Sequence, residues 1–333
     1  MKQAASGLIA LLLLCGCSGV QTPLDPAGDQ AASIHTMWNV MLVVCSFFYA
    51  LVIGGLLWAV VRRRREPVPE PQASAHDPGI ERTLAVWTGL ILAGLTLLIS
   101  WSFFVDRSLA QTHDDQALHI TVTGYQWWWR VEYQDGPVNQ WFETANEIHL
   151  PAGRTARIKL ESGDVIHSFW APNLAGKMDL IPGRHNVLDI TPRRIGVYRS
   201  QCAEFCGMQH AHMALPITVE SPEAFKVWRA HQLQAAKAPT SQQEAFGKAV
   251  FETKACAFCH KIDGADAGGR TAPNLTHLAS RPSLAADAIP YSRGALAGWI
   301  SDPQGMKPGT KMPNVPLTSA ESSAVVAYLD SLK

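Results

Sequence analysis

The sequence has no excess charge of either sign, because 28 lysines and arginines balance 28 aspartates and glutamates. This balance argues against a nucleic-acid partner, which calls for a basic surface. Cysteine is also scarce: the seven residues fall into four scattered groups, so the chain is not a disulfide-rich scaffold. No combination of nucleophile, base and acid marks a substrate pocket. With 333 residues, the chain can form two globular domains, or one domain with membrane segments.

The N-terminus is typical of an exported protein. Lys2 is followed by the apolar run Leu8–Leu14, which predicts a signal peptide over residues 1–17. The end of that run resembles a bacterial lipobox, with Cys17 as the lipidated first mature residue; a plain signal peptide is the alternative. Residues 18–39 are predicted to be an extracytoplasmic spacer, since Gly, Pro, Asp and Gln are frequent at their start.

Two long apolar runs follow, at residues 40–61 and 84–105, and neither contains a charge. Each is long enough to cross a hydrocarbon core of about 30 Å, which takes about 20 helical residues. Four arginines at 62–65 place the intervening loop in the cytoplasm by the positive-inside rule. The sequence therefore predicts a two-helix transmembrane hairpin over residues 40–105, in a bacterial cell (inner) membrane. Both termini and both later domains are then periplasmic.

Between Ala117 and Glu220 the pattern changes to short alternating and β-branched runs separated by Gly, Pro, Asn and Asp. Several short strands at this spacing predict a β-sandwich. The strands expected from these runs are 118–123, 154–160, 186–191, 197–200 and 215–219.

One loop of this region concentrates metal-binding side chains: Cys202, Cys206, His210 and Met213 lie within a dozen residues, and His167 lies upstream. Thiolate and thioether are soft ligands, and imidazole suits copper as well as zinc, so the set is typical of a copper site. A Cys202–Cys206 disulfide and a zinc site are the alternatives. A disulfide has no use for the His and Met, and zinc rarely takes methionine.

This loop resembles the binuclear copper (CuA) loop of cytochrome c oxidase subunit II. The resemblance implies a cupredoxin-like Greek-key β-sandwich over residues 106–220, in which two thiolates bridge both copper ions. It also implies, position by position, a set of copper ligands consisting of His167, Cys202, Cys206, His210, Met213 and the backbone carbonyl of Glu204. In the family the carboxylate at the place of Glu204 helps to bind Mg²⁺ at the subunit interface; a plain exposed glutamate is the alternative.

Two further positions carry the resemblance, and a third departs from it. The run from Tyr125 to Arg130 contains three adjacent tryptophans and resembles the family's aromatic cluster, which implies that Trp127 is where electrons enter above the copper. Anchoring at the membrane interface is the alternative. Asp164 matches a family acid near the site, which implies that it orients the ligand or contacts subunit I; a turn-forming aspartate is the alternative. Many family members carry a glutamate near a proton-uptake path where this chain has Leu84. Glu81, one turn earlier, is a candidate to replace it; a charged residue at the helix start that faces the lipid headgroups is the alternative.

A second domain begins after a linker at residues 221–243, whose first half predicts an amphipathic helix over Pro222–Ala236. The run Cys256-Ala257-Phe258-Cys259-His260 is the c-type haem attachment signature, in which two thiols bind the haem vinyl groups and the histidine ligates iron. A thioredoxin-like redox pair is the alternative, but no βαβ pattern surrounds it. Residues 244–333 are therefore predicted to be a small all-α, class-I-like cytochrome c domain.

Other residues of this domain resemble the same family. Met312 precedes a proline as in the family's Met-Pro loop, which implies that it is the second axial ligand, while Met306 is predicted to pack. Gly247 and Phe251 are expected to meet the last helix at Tyr328. Three more expectations are a capping box at Thr318 and Glu321, a Pro273 carbonyl that orients His260, and a surface position for His277.

The whole pattern resembles subunit II of a respiratory, bacterial haem-c-containing aa-type oxidase with a fused C-terminal cytochrome c. The resemblance implies that the chain relays electrons from cytochrome c and its own haem c, through CuA, to haem a of subunit I. Oxygen is then reduced to water with proton translocation. Expected partners are subunit I, subunit III, cytochrome c and the membrane. Neither outer domain is strongly charged, so electrostatic docking is not expected to be the main device that brings them together. The alternatives are the corresponding subunit of a CuA-type nitric oxide reductase and a non-enzymatic, membrane-tethered copper and haem binding protein.

Overall fold

A computed structural model of the chain describes residues 18–63, 78–110, 114 and 116–333. The predicted signal peptide with Cys17, and most of the predicted cytoplasmic loop, lie outside the described residues. The chain divides into two compact units. One is Ser33–His113, and the other is Asp114–Lys333 together with the N-terminal residues up to Ala32.

Two long helices occupy the predicted membrane region, α1 at Asp29–Arg63 and α2 at Pro78–Ala110. Both are long and apolar enough to cross a membrane. Each extends beyond its predicted run, and α1 begins well before residue 40. The C-terminal part of the predicted spacer is therefore helical, and Asp29 lies in the first turn, where an acidic side chain is favourable.

The rest of the predicted spacer is also ordered, because it is bound to the β-sandwich. Gly28 forms an isolated antiparallel bridge with Pro192. The Ala27 amide donates to the Asn173 carbonyl at 2.6 Å, and the Asn173 side-chain amide donates to the carbonyls of Gly19 and Asp25 at 2.9 Å. Residues 18–28 are thus a strap on the sandwich and not a free tail.

The sandwich consists of two five-stranded sheets, and all five predicted strands are present in them. One sheet has the order β3-β2-β1-β5-β8 and the other β4-β10-β9-β6-β7. Non-consecutive neighbours, with β1 parallel to β5 and β4 parallel to β10, give the crossed connections of a cupredoxin-like sandwich. The strands are β1 Leu118–Tyr125, β2 Trp128–Tyr133, β3 Phe142–Ala145, β4 Ile148–Pro151, β5 Ala156–Ser162, β6 His167–Trp170, β7 Met178–Leu180, β8 Asn186–Ile190, β9 Gly196–Cys202 and β10 Ala214–Glu220.

The core of the sandwich reaches to the edge of the metal-binding loop. Alternate residues of β1 and β5 are fully buried, and each such aliphatic side chain contributes about 1.5–3 kcal/mol by leaving water. Trp129 of β2 is also fully buried and lies edge-on to Phe169, with ring centroids 6.0 Å apart. Its ring is equally close to His167. The packed tryptophan therefore holds the first residue of β6 in place.

The linker helix α3 spans Pro222–Gln232, shorter than predicted, and is capped by the Ser221 side chain. It lies on the sandwich through Phe225 and Trp228. Trp228 stacks on His149 at 4.2 Å. The first half of the linker is thus packed on the β-sandwich.

The C-terminal domain has its own hydrophobic core, built mainly from helices. The prediction of a small all-α domain is confirmed, with two short β-hairpins added, and the capping box of Thr318 and Glu321 is present. Its elements are α4 Gln242–Thr253, α5 Cys256–Cys259, β11 Lys261–Ile262, β12 Ala267–Gly268, β13 Ser283–Leu284, β14 Ile289–Pro290, α6 Arg293–Ser301, α7 Pro303–Met306 and α8 Ser319–Ser331.

Helices α4 and α8 cross at Gly247, where the backbones are in direct contact. A Cβ at Gly247 would lie 2.0 Å from the Ala324 carbonyl oxygen. One turn on, Phe251 lies edge-on to Tyr328 with centroids 6.1 Å apart. The predicted contact between the first and last helices is confirmed, and it requires glycine because no side chain fits at the crossing.

We expect Gly247→Ala to destabilise the C-terminal domain by about 1–3 kcal/mol, since overpacking forces the helices apart. The measurement is amide hydrogen exchange in α8, which should become faster in the variant. Gly294→Ala in α6 is the control, because nothing lies within 4 Å of its added Cβ. Equal exchange in the two variants would contradict the crossing constraint.

Candidate metal centre and haem-binding motif

Two buried thiols lie at the end of β9 and in the loop that follows. The Sγ atoms of Cys202 and Cys206 are 3.7 Å apart, and each residue is 2% exposed. A disulfide needs about 2.05 Å between the sulfurs, so both thiols are free. The Cys202 amide donates to the Met213 carbonyl at 2.9 Å, which closes the loop on itself. The structure therefore offers two adjacent soft donors with no covalent bond between them.

The other predicted donors converge on this pair. His167 Nδ1 lies 3.9 Å from Cys202 Sγ, at the start of β6. On the opposite side, His210 Nδ1 and Met213 Sδ lie 3.6 and 3.8 Å from Cys206 Sγ. The sequence placed these five side chains in one site, and the fold brings all of them together.

The backbone completes the set, since the Glu204 carbonyl oxygen lies 3.2 Å from Cys202 Sγ while its side chain is exposed. Two thiols, two imidazoles, a thioether and a carbonyl exceed the four ligands of a structural zinc site. Soft sulfur and imidazole donors fit copper, so the residues present match the metal that the spacing predicts.

Asp164 orients one of the imidazoles. Its Oδ1 accepts from His167 Nε2 at 2.9 Å, and its Oδ2 accepts from the Gln126 amide at 2.8 Å. Burial raises the pKa of Asp164, but the hydrogen bonds from His167 and Gln126 outweigh it and hold the pKa well below its usual range. With Nε2–H bound by the carboxylate, Nδ1 is left facing the thiols as a ligand must.

The two thiols do not ionise equally. A hydrogen bond from Cys206 lowers the pKa of Cys202, although burial opposes it, and the same contact with burial raises the pKa of Cys206. Such a pair loses its first proton readily and resists losing the second. Because thiolates are the metal-binding form, the second ionisation is favoured only when a cation binds.

The three adjacent tryptophans have three different environments, because Trp127 lies in the turn before β2 while Trp128 and Trp129 alternate across that strand. Trp127 donates from Nε1 to the Cys206 carbonyl at 3.0 Å and is 9% exposed. Trp128 is half-buried and stacks on Tyr125 at 4.9 Å. Trp129 fills the sandwich core. Of the three, only Trp127 contacts the loop that carries the thiols.

The haem attachment motif forms the short helix α5 and the residue after it. His260 Nδ1 donates to the Pro273 carbonyl at 2.8 Å, as predicted, which leaves Nε2 free. Burial lowers the pKa of His260 and the Pro273 hydrogen bond only partly opposes this, so the ring is neutral as an iron ligand must be. Cys256 and Cys259 are free and half-buried. The residues present fit a c-type haem.

Other expected positions in this domain have mixed outcomes. Met306 lies beside α6, where a Cβ at Gly298 would be 3.4 Å from its sulfur, but the residue is 41% exposed, so it packs only in part. The role of Met312 as axial ligand stays a prediction. The surface position predicted for His277 is wrong: it is buried, and its Nε2 lies 3.1 Å from the Gln234 carbonyl. The end of the linker covers it, which no local pattern indicates.

Comparisons with known proteins agree with both sites. The family described as "Cytochrome C oxidase subunit II, periplasmic domain" matches residues 136–222, and the family described as "Cytochrome c" matches residues 245–333. Cytochrome c oxidase subunit 2 of Alkalihalophilus pseudofirmus is 31% identical over 332 residues, covering 97% of this chain and 94% of that protein. The same subunit of Bacillus subtilis is 28% identical, covering 98% of this chain and 96% of that protein. The chain belongs to the cytochrome c oxidase subunit II family.

This subunit II carries a fused C-terminal cytochrome c domain, as predicted. Its family identifies it as an electron-transfer subunit of a cytochrome c oxidase complex, with subunit I as partner and with CuA copper and haem as cofactors. It is a membrane protein with a periplasmic domain. A solved structure, the periplasmic domain of subunit II of cytochrome oxidase of Bradyrhizobium japonicum, is 31% identical, covers 36% of this chain and 96% of that chain, and has a TM-score of 0.34.

In subunit II, the predicted Met-Pro loop of the cytochrome domain lies on the copper-type loop. The Gln209 side chain donates to the Pro308 carbonyl at 2.8 Å. A Cβ at Gly309 would lie 3.4 Å from the Trp127 ring and 3.5 Å from Met208 Sδ. Trp127 is therefore covered by the cytochrome domain of its own chain.

Charged side chains also join the two domains, although electrostatic docking is not expected from the sequence to be the main device. Arg281 of the cytochrome domain and Glu147 of the sandwich lie 3.5 Å apart, and each side chain is 5% exposed. Arg281 also donates to the Asn274 carbonyl at 2.6 Å, next to the proline that orients His260. Arg270 pairs with Glu143 at 3.1 Å. Isolated charges far apart in sequence give no motif, so sequence reasoning missed these residues.

His149 extends this network on the sandwich side. Its Nδ1 lies 2.8 Å from a Glu220 carboxylate oxygen, and its Nε2 lies 3.8 Å from Glu147. Burial lowers the pKa of His149, but the neighbouring carboxylates of Glu147 and Glu220 outweigh it and raise the pKa to about 9. The ring is therefore an imidazolium at neutral pH and balances part of the buried negative charge.

We expect His149 to make stability depend on pH. Because its pKa rises from 6.5 to about 9 on folding, its contribution is complete below about pH 6.5 and is lost as pH rises through about 9. The full contribution is about 3 kcal/mol. Urea unfolding followed by tryptophan fluorescence should therefore show a large loss for His149→Gln at pH 6 and little at pH 10. The exposed His119→Gln is the control, and a loss that is the same at both pH values would contradict the charge argument.

Proposed function

We propose that this subunit II carries electrons from a covalently attached haem c to a binuclear CuA centre, and from there to haem a of subunit I. The observation that carries the proposal is the convergence of four further donor atoms on the two thiols of Cys202 and Cys206, directly beside a tryptophan that the haem-binding domain covers. Two one-electron centres in domains that touch each other suit an electron relay. They have no evident use in binding a substrate.

The copper pair is proposed to be held by the side chains that surround Cys202 and Cys206 together with one carbonyl. The haem is proposed to be held by the attachment motif and one methionine. Bound there, copper and haem supply one-electron carriers. The proposed copper ligands are His167, Cys202, Glu204 through its carbonyl, Cys206, His210 and Met213, and the proposed haem ligands are Cys256, Cys259, His260 and Met312.

The protein's own contribution is to hold these donors rigidly and to keep water away. His167 and Met213 are fully buried, and both thiols are nearly so. Asp164 fixes the His167 ring and Pro273 fixes the His260 ring, so neither ligand needs to turn when charge changes. Trp127 is proposed as the residue through which electrons enter the copper loop, because it bonds directly to the Cys206 carbonyl.

Finer features of the assembly are also proposals. Subunit III and a soluble cytochrome c are expected partners in addition to subunit I. The exposed carboxylate of Glu204 is free to contribute to a Mg²⁺ site at the subunit interface. Cys17 is proposed to be lipidated, with both termini and both redox domains on the periplasmic side. Relatives that match nearly the whole chain are named cytochrome c oxidase subunit 2, which favours an oxidase over a nitric oxide reductase.

The proposal predicts that Cys206→Ser in the purified oxidase complex removes the copper centre and leaves the haem. Electron paramagnetic resonance should show a seven-line mixed-valence copper pattern in the wild type and none in the variant. Oxygen consumption with reduced cytochrome c should fall by about a hundredfold or more, since a ligand is lost outright. Cys45→Ser in α1 is the control. A four-line single-copper signal in the wild type would refute the binuclear centre.

Met312 and Met306 allow a matched test of haem ligation. His/Met ligation raises the potential of haem iron, so Met312→Ala should lower the midpoint potential measured by redox titration. Met306→Ala should leave the potential unchanged, because Met306 packs against α6. The opposite pattern would assign the ligand to Met306.

A further inference from the structure

A buried lysine connects the cytochrome domain to the copper loop. Lys307 begins the Met-Pro loop and is 2% exposed. Its Nζ donates to three backbone carbonyls: Trp127 at 2.9 Å, His212 at 2.8 Å and Ala285 at 2.7 Å. The first two belong to the copper domain and the third to the cytochrome domain. One ammonium thus joins the tryptophan, the ligand loop and the haem-binding domain.

The chemistry of this contact requires a charged lysine. Within the described part of the chain, no carboxylate pairs with Lys307 inside 4.0 Å. Burial lowers the pKa of Lys307 to about 7, and the nearby Cys206 thiol, when ionised, opposes that shift. A neutral amine has two N–H groups, so three accepting carbonyls at 2.7–2.9 Å fit only the ammonium. Burying an ammonium is costly, and the three carbonyl dipoles offset that cost only while the domains are docked.

The turn between β13 and β14 provides an independent sign of docking. Ala285, Ala286 and Asp287 are consecutive non-glycine residues with φ of 54°, 60° and 61°. A positive φ is unfavourable for a residue with a Cβ atom, and a run of three persists only where the surroundings hold it.

What holds this turn is the copper domain and Lys307. The Ala286 carbonyl accepts from the Ala214 amide at 3.1 Å, immediately after the proposed ligand Met213. The Asp287 carboxylate pairs with Arg199 at 3.1 Å. The Ala285 carbonyl is one of the three that accept from Lys307. Every residue of the left-handed turn therefore bonds to a group of the interface.

We propose that Lys307 and the left-handed turn at residues 285–287 form the contact that docks the cytochrome domain on the copper loop. Lys307 is the positioning residue: it holds the Trp127 backbone and the end of the ligand loop in register with the Met-Pro loop. The inference rests on the proposed electron relay, and it names the residues that fix its two domains together. Lys311 contributes little by comparison, because its side chain is 66% exposed where it pairs with Asp164.

The first test is amide hydrogen exchange in the purified oxidase complex that contains the full-length chain. The Ala214 amide bonds to Ala286 across the interface, so its exchange reports docking. In Lys307→Met, exchange in the peptide that contains Ala214 should be about tenfold faster, as expected for losing hydrogen bonds to a charged group. Exchange in β5 should stay slow, which shows that the sandwich is folded. Lys254→Met is the control, since Lys254 pairs with Glu321 inside the cytochrome domain.

The second test is the rate of electron transfer from haem to copper after photoreduction of the haem in the oxidase complex. Lys307→Met should slow it about tenfold or more by loosening the contact at Trp127, with metal content and optical spectra unchanged. A matched pair in the turn gives the same answer by another route. Ala286→Gly keeps the left-handed backbone and should keep the rate, whereas Ala286→Pro cannot adopt it and should undock the domain.

The outcomes distinguish failure of the docking proposal from failure of the proposed electron relay. Wild-type exchange and wild-type rates in Lys307→Met and Ala286→Pro would overturn the docking proposal while leaving the relay intact. Wild-type protein that binds no copper, or that shows no transfer between the centres, would overturn the relay instead. If Lys307→Met fails to fold, the Ala286 pair decides the question, because both of its members keep the lysine.

Discussion

The pairing of β6 with β9 is the constraint on which the proposed copper site depends. Phe169 lies opposite Cys202 in this antiparallel ladder, so His167, two residues earlier on the same face, is brought beside the first thiol. A slip of one residue would turn either side chain to the other face of the sheet. Trp129 fills the space behind the strand and prevents that slip. A soft-metal site assembled from a strand start and a distant loop thus depends on the packing of an apolar core.

Much of this architecture could be predicted from local patterns. The ligand loop and the haem motif are read from spacing, and the strands from alternation. The contacts that the sequence does not predict join residues that are far apart in the chain: Glu147 with Arg281, and Lys307 with Trp127. Their partners are charges or backbone carbonyls, which leave no periodic signal in either segment. The N-terminal strap was missed for the same reason, since its polar composition is also that of a free linker.

A chain with no net charge can still be organised by charge. Most interdomain pairs place a cation on the cytochrome side and an anion on the sandwich, as in Arg270 with Glu143. The pair of Arg199 with Asp287 has the opposite sense and lies at the left-handed turn. Such alternation fixes orientation, because a rotated domain would bring like charges together. A chain whose charges sum to zero can therefore still form an interface in which charge pairs set the orientation of the two domains.

The position of Gly309 over Trp127 has a consequence for competition between electron donors. A soluble protein could touch this tryptophan only after displacing the loop that covers it. The tethered domain is present at an effective concentration of about a millimolar, and it is already docked. A freely diffusing protein at micromolar concentration would therefore rarely displace the tethered domain. Soluble electron donors are thereby kept from the copper domain, and they reduce the haem-bearing domain instead. The soluble donor can then change without any change at the copper loop.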